Sequence, residues 1–179
     1  MARRLVFVPG SESPYVSELS LEFEQFSGSS IQQKRRSIAR LHASYVAKFP
    51  SSRVLEVSSK SERDLGVQLS AFNLMIEHPE RGSYSVECVF QASKVFAHGG
   101  PFVDLLDVSS RAAKTDRRLR ESGKLVGFKY FAHEFPLEPK TYFYDWLYAS
   151  ALCRDDEIVE QVMMFDAFTD IEHNPERSI

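Results

Sequence analysis

The stretch YSVECVFQASKVFA, residues 84–97, decides more about this chain than any other. Val86, Cys88, Val89, Phe90, Ala92, Val95, Phe96 and Ala97 leave almost no polar position in it. Its part from Val86 to Ala97 predicts one helix, closed by His98-Gly99-Gly100-Pro101, where glycine permits a left-handed cap and proline forbids continuation. A helix that is apolar on all sides is buried. Glu87, Gln91 and Lys94 interrupt it, and at about 100° per residue they share a wedge of roughly 60°. Polar groups on such a stripe must be paired or face a cavity. A carboxylate near an amine alters the proton affinity of both. A half-buried lysine that loses its proton becomes a nucleophile, and a buried glutamate serves as general acid or base. A plain Glu–Lys pair, or Lys94 reaching solvent at the helix end, would also account for the stripe.

Upstream, LVFV near the N-terminus predicts a short strand. Loop residues Pro9, Gly10, Pro14 and Gly28 follow it. Ile31, Ile38, Leu41, Tyr45 and Phe49 recur at helical period, with Ser29 or Ser30 to cap the helix and Pro50 to stop it. Lys34, Arg35 and Arg36 lie on its outer face, as in many solvated helices. RVLEV, residues 53–57, alternates like a strand. VQLSAFNLMI fits a buried strand or irregular segment, and HPERGS a turn. Downstream, FVDLLDV predicts a second helix. A further helix from Ser109 or Ser110 carries RAAKTDRRLRES and is broken by Gly123 and Gly127. TYFYDWLYASALC predicts a buried aromatic helix, and DDEIVEQVMMF an amphipathic one. Helices and a few strands without βαβ alternation predict an α+β fold.

The 179 residues fit one domain. A net charge of −3 leaves no global field for nucleic acid, so any such binding must rest on local basic patches. The 14 phenylalanines predict an aromatic core. Cys88 and Cys153 read as buried free thiols of a reducing compartment. No signal peptide or membrane span is evident, so a cytoplasmic protein is expected. The histidines show no metal-ligand spacing, and there is no serine elbow, P-loop or dinucleotide glycine motif.

YSVECVFQASKVF resembles the signature of the NADAR family, with Glu, Gln and Lys at the family's spacing. LSAFNL resembles its Ser-Asn-Phe segment, with Ala71 where asparagine is usual and an asparagine two places on, at Asn73. SSRAAKTDRRL, FYDWLYASAL and FTDIEHNP are similar to three further family segments, although the usual Trp-Gly of the last is absent. The resemblance covers about residues 54–174. The wording is most similar to NADAR antitoxins paired with DarT-type DNA ADP-ribosyltransferase toxins. It implies a single helix-rich domain at 51–179 with an N-terminal extension at 1–50 packed on it. Family members usually run further at the C-terminus, so part of that region is expected to be missing here.

The implied activity is hydrolysis of ADP-ribose from guanine bases of DNA, with ADP-ribose as product and a DarT-type toxin as partner. Lys94 would form a Schiff base with the opened ribose, and Glu87 would move protons. Gln91 would hold ribose hydroxyls or orient Glu87. No metal or other cofactor is implied. Phe72 and Trp146 are candidates to stack on a purine, although Trp146 suits an aromatic core equally. Ser58, Ser59 and Lys60, in a polar loop after a strand, are candidates for the pyrophosphate, or else plain surface. Ser70 and Asn73 come from the Ser-Asn-Phe segment. Asp170 is a candidate ribose contact or a turn cap. Arg111, Lys114 and Arg118 at i, i+3, i+7, with Arg117, Arg120 and Lys124 nearby, form a candidate phosphate track or a solvated face. Two other readings stand beside this one. The chain could cleave a small ribosylated metabolite of the riboflavin pathway, or neutralise a toxin by contact alone.

Overall fold

The computed structural model describes residues 1–78 and 82–172. Pro79–Arg81, in the expected HPERGS turn, and the tail from His173 lie outside the described residues. The α+β reading holds, with nine strands among the described residues where a few were expected. The chain divides into two compact units, Met1–Ser70 with Asp156–Ile179, and Ala71–Asp155.

The first unit is built on a four-stranded sheet. Strands β1 (Ala2–Pro9) and β2 (Val16–Phe23) form an antiparallel hairpin paired from Ala2↔Phe23 to Pro9↔Val16. The reading from sequence saw a short strand and then loop, because Ser17, Glu18, Ser20 and Glu22 dilute the second strand. Its inward side chains, Leu21 and Phe23, are nonetheless fully buried. Strand β9 (Ala167–Thr169) lies between β1 and β3 (Val54–Glu56), antiparallel to the first and parallel to the second. Helix α1 (Ile31–Lys48) starts where Ser30 accepts from the Gln33 amide, and Phe49 caps its end. Ile38, Leu41 and Tyr45 join Val6, Leu21, Phe23, Ala167 and Ile171 in one core. The short α2 (Asp64–Gln68) fits because Gly66 has no side chain, and a Cβ there would meet the Glu56 carbonyl at 2.0 Å. Helix α7 (Asp156–Val162) buries Ile158.

The second unit holds a hairpin of β4 (Met75–His78) and β5 (Gly82–Ser85), helix α3 (Val86–Ala92), and a sheet β6 (Lys94–Phe96)–β7 (Leu125–Tyr130)–β8 (His133–Phe135). A 3-10 turn at Val103–Asp107 replaces the expected FVDLLDV helix. Helices α4 (Ser110–Thr115), α5 (Arg118–Glu121) and α6 (Tyr142–Leu152) complete it. Gly123, with φ +84°, does end α5, but Gly127 lies inside β7 rather than at a break. The core is aromatic, as the composition predicts. Phe143 is ringed by Phe90, Phe128, Tyr130, Phe135 and Trp146. Among the described residues no helix is long and apolar enough to cross a membrane.

Candidate active site

The site in the second unit begins at the start of α3. Ser85 caps the helix by accepting from the Cys88 amide at 3.2 Å. Ser110 donates to the Phe72 carbonyl at 2.9 Å, so the 2.8 Å contact between the two serines is a donation from Ser85. The Val86 and Glu87 amides donate to the carbonyls of Leu74 and Ala71, both at 2.9 Å. The first helical turn is thereby tied to the segment that carries Phe72 and to α4. Glu87 sits in that first turn, where the helix dipole favours a carboxylate.

Glu87 and Gln91 are both buried. The Gln91 amide nitrogen donates to Glu87 Oε1 at 2.8 Å. Its other end is different. Gln91 Oε1 is buried and has no hydrogen-bond partner among the described residues. An orphaned buried acceptor loses its hydration without replacement, at a cost of about 1–3 kcal/mol, and so marks a place where a donor from elsewhere fits.

Lys94 is not on the helix. The expected helix over 86–97 ends at Ala92, and Lys94 opens β6 opposite Phe128 of β7. The reason is tertiary. The carbonyls of Ala92 and Ser93 accept from the amides of Phe102 (2.9 Å) and Lys129 (2.7 Å), outside the helix. Val95 and Phe96 then pair with β7, which suits a β-branched and an aromatic residue. Gly100, at φ +84°, completes the bend, because a Cβ there would meet the Lys94 carbonyl at 2.2 Å. The lysine still belongs with Glu87. Its Nζ lies 4.7 Å from the Phe90 ring centre. Burial pushes its pKa below the usual lysine value, the Glu87 charge opposes that, and Lys114 adds to it.

The basic track on α4 and α5 is corrected too. Arg111, Lys114 and Arg118 do not share one helix face, because the helix breaks at Asp116. Asp116 accepts from the Arg118 amide at 2.8 Å and from its Nε at 2.9 Å, which turns the chain into a new start. Arg118 also pairs with Asp104, and Arg117 with Glu121. Lys114 points to the candidate centre. Its Nζ is 3.9 Å from Glu87 Oε2 and 5.1 Å from the Phe72 ring centre.

Ser58, Ser59, Lys60, Ser70 and Asp170 belong to the first unit. Ser58 is buried and donates to Glu56 Oε1 at 2.6 Å. Ser59 and Lys60 contact each other and Glu172. Asp170 accepts from the Glu172 amide at 2.8 Å, a local turn cap. Ser70 is buried. In the second unit, Asn73 is exposed and Trp146 is 38% exposed, packed edge-on to Tyr130 and against Phe135. Cys88 is buried as expected. Cys153 is exposed, because it caps the end of α6 rather than facing the core. No group of three or more His, Cys, Asp or Glu able to hold a metal ion occurs among the described residues.

One buried cluster escaped the reading from sequence. Glu56 accepts from Ser58, from Thr169 Oγ1 at 2.6 Å and from the Ile171 amide at 2.8 Å. His42 Nε2 lies 2.8 Å from Thr169 Oγ1, and since that hydroxyl donates to Glu56, the imidazole is the donor. Burial pushes Glu56 up to about 7 against three opposing hydrogen bonds, and burial with the Arg63 charge pushes His42 down to about 4. The stability consequences oppose each other. The raised Glu56 contributes stability fully below pH 4.5 and loses it as pH rises to about 7. The lowered His42 contributes above pH 6.5 and loses that as pH falls to about 4. Each effect is on the order of 3 kcal/mol. Urea unfolding is therefore expected to show opposite pH slopes in two variants. His42→Gln should lose stability from pH 4.5 toward 7, and Glu56→Gln from pH 6.5 toward 4. Parallel slopes would refute the assignment.

No protein of curated function matches the chain. A family model does match, that of the DarT1-associated NADAR antitoxin, over residues 2–179. It includes both the α3–β6 centre and the hairpin of the first fifty residues. The chain belongs to the DarT1-associated NADAR antitoxin family.

Proposed function

We propose that this protein is an N-glycosidase that removes ADP-ribose from guanine in DNA and so reverses a DarT-type toxin. The observation that carries this reading is the juxtaposition at one centre of a lysine with lowered pKa, a buried glutamate and a buried amide oxygen without a donor among the described residues. That set suits a sugar. The amide oxygen accepts from a ribose hydroxyl while its nitrogen holds Glu87.

Neutral Lys94 attacks the anomeric carbon. The bond from that carbon to the guanine nitrogen breaks, and Glu87 passes to the leaving nitrogen the proton that the attacking amine gives up. The Lys94 nitrogen then expels the ring oxygen: the bond from the anomeric carbon to that oxygen breaks, the oxygen takes up a proton as the nitrogen gives up its own, and the opened ribose is held on Lys94 as a Schiff base. Water, deprotonated by Glu87, adds to the imine carbon. Carbon–nitrogen cleavage releases ADP-ribose and restores the amine. The sum is substrate plus water giving guanine and ADP-ribose. Phe72, whose carbonyl accepts from Ser110 and whose ring lies beside Lys114, would stack on the base.

Lys114 tunes this centre rather than a phosphate track. Its charge helps lower the pKa of Lys94, which must be neutral to attack. Lys114→Ala is expected to shift the acidic limb of the pH–rate profile to higher pH, and Lys114→Arg to leave it in place. A limb that does not move in Lys114→Ala removes this role.

The test of the activity is incubation of the full chain with a guanine-ADP-ribosylated oligonucleotide, followed by mass spectrometry. Release by the wild type, and its loss in folded Lys94→Ala and Glu87→Ala, is the expected result. An intact adduct, with cleavage of a ribosylated aminopyrimidine phosphate instead, would move the protein to metabolite chemistry.

A further inference from the structure

Helix α1 is the most basic element of an acidic chain. It carries Lys34, Arg35, Arg36, Arg40 and Lys48 and no Asp or Glu in 18 residues, whereas the whole chain has 25 acidic and 22 basic residues. Among the described residues only Arg40 of the five pairs with a carboxylate, that of Glu24. Arg35 donates instead to the backbone carbonyls of Lys60 and Ser61, which leaves its charge uncompensated.

Two grooves flank this helix, and they share one design. The first, of about 270 Å³, is lined by Arg36, Ala39, Arg40, Ala43 and Phe26, with the Arg36 guanidinium 3.9 Å over the Phe26 ring. Ala39 and Ala43 keep its floor low. The second, of about 460 Å³, is lined among others by His42, Ser52, Arg53, Arg63 and Phe165, with the Arg63 guanidinium 5.4 Å over the Phe165 ring. Arg53 is paired with Asp166, while Arg63 pairs with no carboxylate among the described residues. Each groove thus sets a guanidinium against a half-buried phenylalanine.

A basic track supplemented by aromatic faces is the chemistry that holds single-stranded nucleic acid, with phosphates on the arginines and bases on the rings. An acidic protein surface would use the charges but not the paired rings. From this we infer that the α1 face of the first unit binds a nucleic-acid single strand through its phosphates and bases. None of its residues is among those assigned to cleavage, and it does not require that the cleavage reading be correct.

The test is fluorescence anisotropy of the full chain with an unmodified, labelled single-stranded oligonucleotide over a range of salt, beside a duplex of equal length. Because the probe carries no ADP-ribose, a failed glycosidase assay leaves the outcome readable. The wild type is expected to prefer the single strand and to weaken with salt. Arg36→Gln with Arg63→Gln should reduce affinity about ten-fold at low salt and flatten the log–log salt slope by about 1.4, at 0.7 per charge. Phe26→Leu and Phe165→Leu should each weaken binding roughly five-fold with the slope unchanged. Lys34→Gln with Lys48→Gln, which alters no groove-lining residue, provides a second charge test should the first variant unfold. Binding equal to wild type in the charge variants, or preference for duplex, would each overturn the inference.

Discussion

Lys94→Ala is expected to lower release of ADP-ribose from a guanine-modified oligonucleotide by roughly 10³-fold or more, equivalent to about 4 kcal/mol of transition-state stabilisation. The expectation follows from position. Lys94 opens β6 with its backbone held by Phe128 and its ammonium drawn over Phe90, half out of water and within reach of the Glu87 charge. Water does not replace a fixed amine, because it lacks both the placement and the ability to hold the opened sugar as an imine. Lys94→Arg should be as inactive as alanine, since a guanidinium stays protonated. Borohydride added during turnover should fix a mass on Lys94 in the wild type and none in either variant. Full release by Lys94→Ala would end the Schiff-base reading. Protection against the toxin by a chemically dead Lys94→Ala would instead show neutralisation by contact.

Phe143→Ala should produce the largest loss of stability. Phe143 is 2% exposed, and its ring centre lies 4.8 Å from that of Phe128 and 4.6 Å from that of Phe135. Truncating a phenylalanine so enclosed removes its transfer energy and leaves a cavity, at about 3–5 kcal/mol. That is a large fraction of an ordinary domain's stability of about 5–15 kcal/mol. Calorimetry should record a fall in Tm of roughly 6–20 °C. The consequence reaches the site, because Phe128 faces Lys94 across the sheet and Phe90 supplies the ring beneath its ammonium. Phe143→Leu should lose far less. A Tm for Phe143→Ala within about 1 °C of wild type would mean that this ring cluster does not carry the second unit.

Much of the chain was legible in its residues. The period of Ile38, Leu41 and Tyr45 with Ser30 ahead of it specified α1. The aromatic run TYFYDWLYASAL specified α6, and the apolar run beginning at Val86 specified the start of α3. These are local signals, set by side-chain period and by cap hydrogen bonds within four residues. The pairing of Glu87 with Gln91 is also local, one helical turn apart. The basic run 111–120 was misread for a complementary reason. Its helical period is real, but Asp116 captures the next amide and splits it.

What the sequence by itself determined, then, is helices α1, α6 and α7 and the chemical content of the Glu-Gln-Lys run, because both depend on neighbours in the chain. Only the tertiary structure decided that Lys94 is a strand residue, since carbonyls that could have continued the helix are taken by Phe102 and Lys129. It alone inserted β9 between β1 and β3, strands 110 or more residues away in sequence. It also set Lys114 against Glu87 and joined His42 through Thr169 to Glu56. Those partners are far apart along the chain, and no period or spacing encodes a contact that exists only after the sheet has closed.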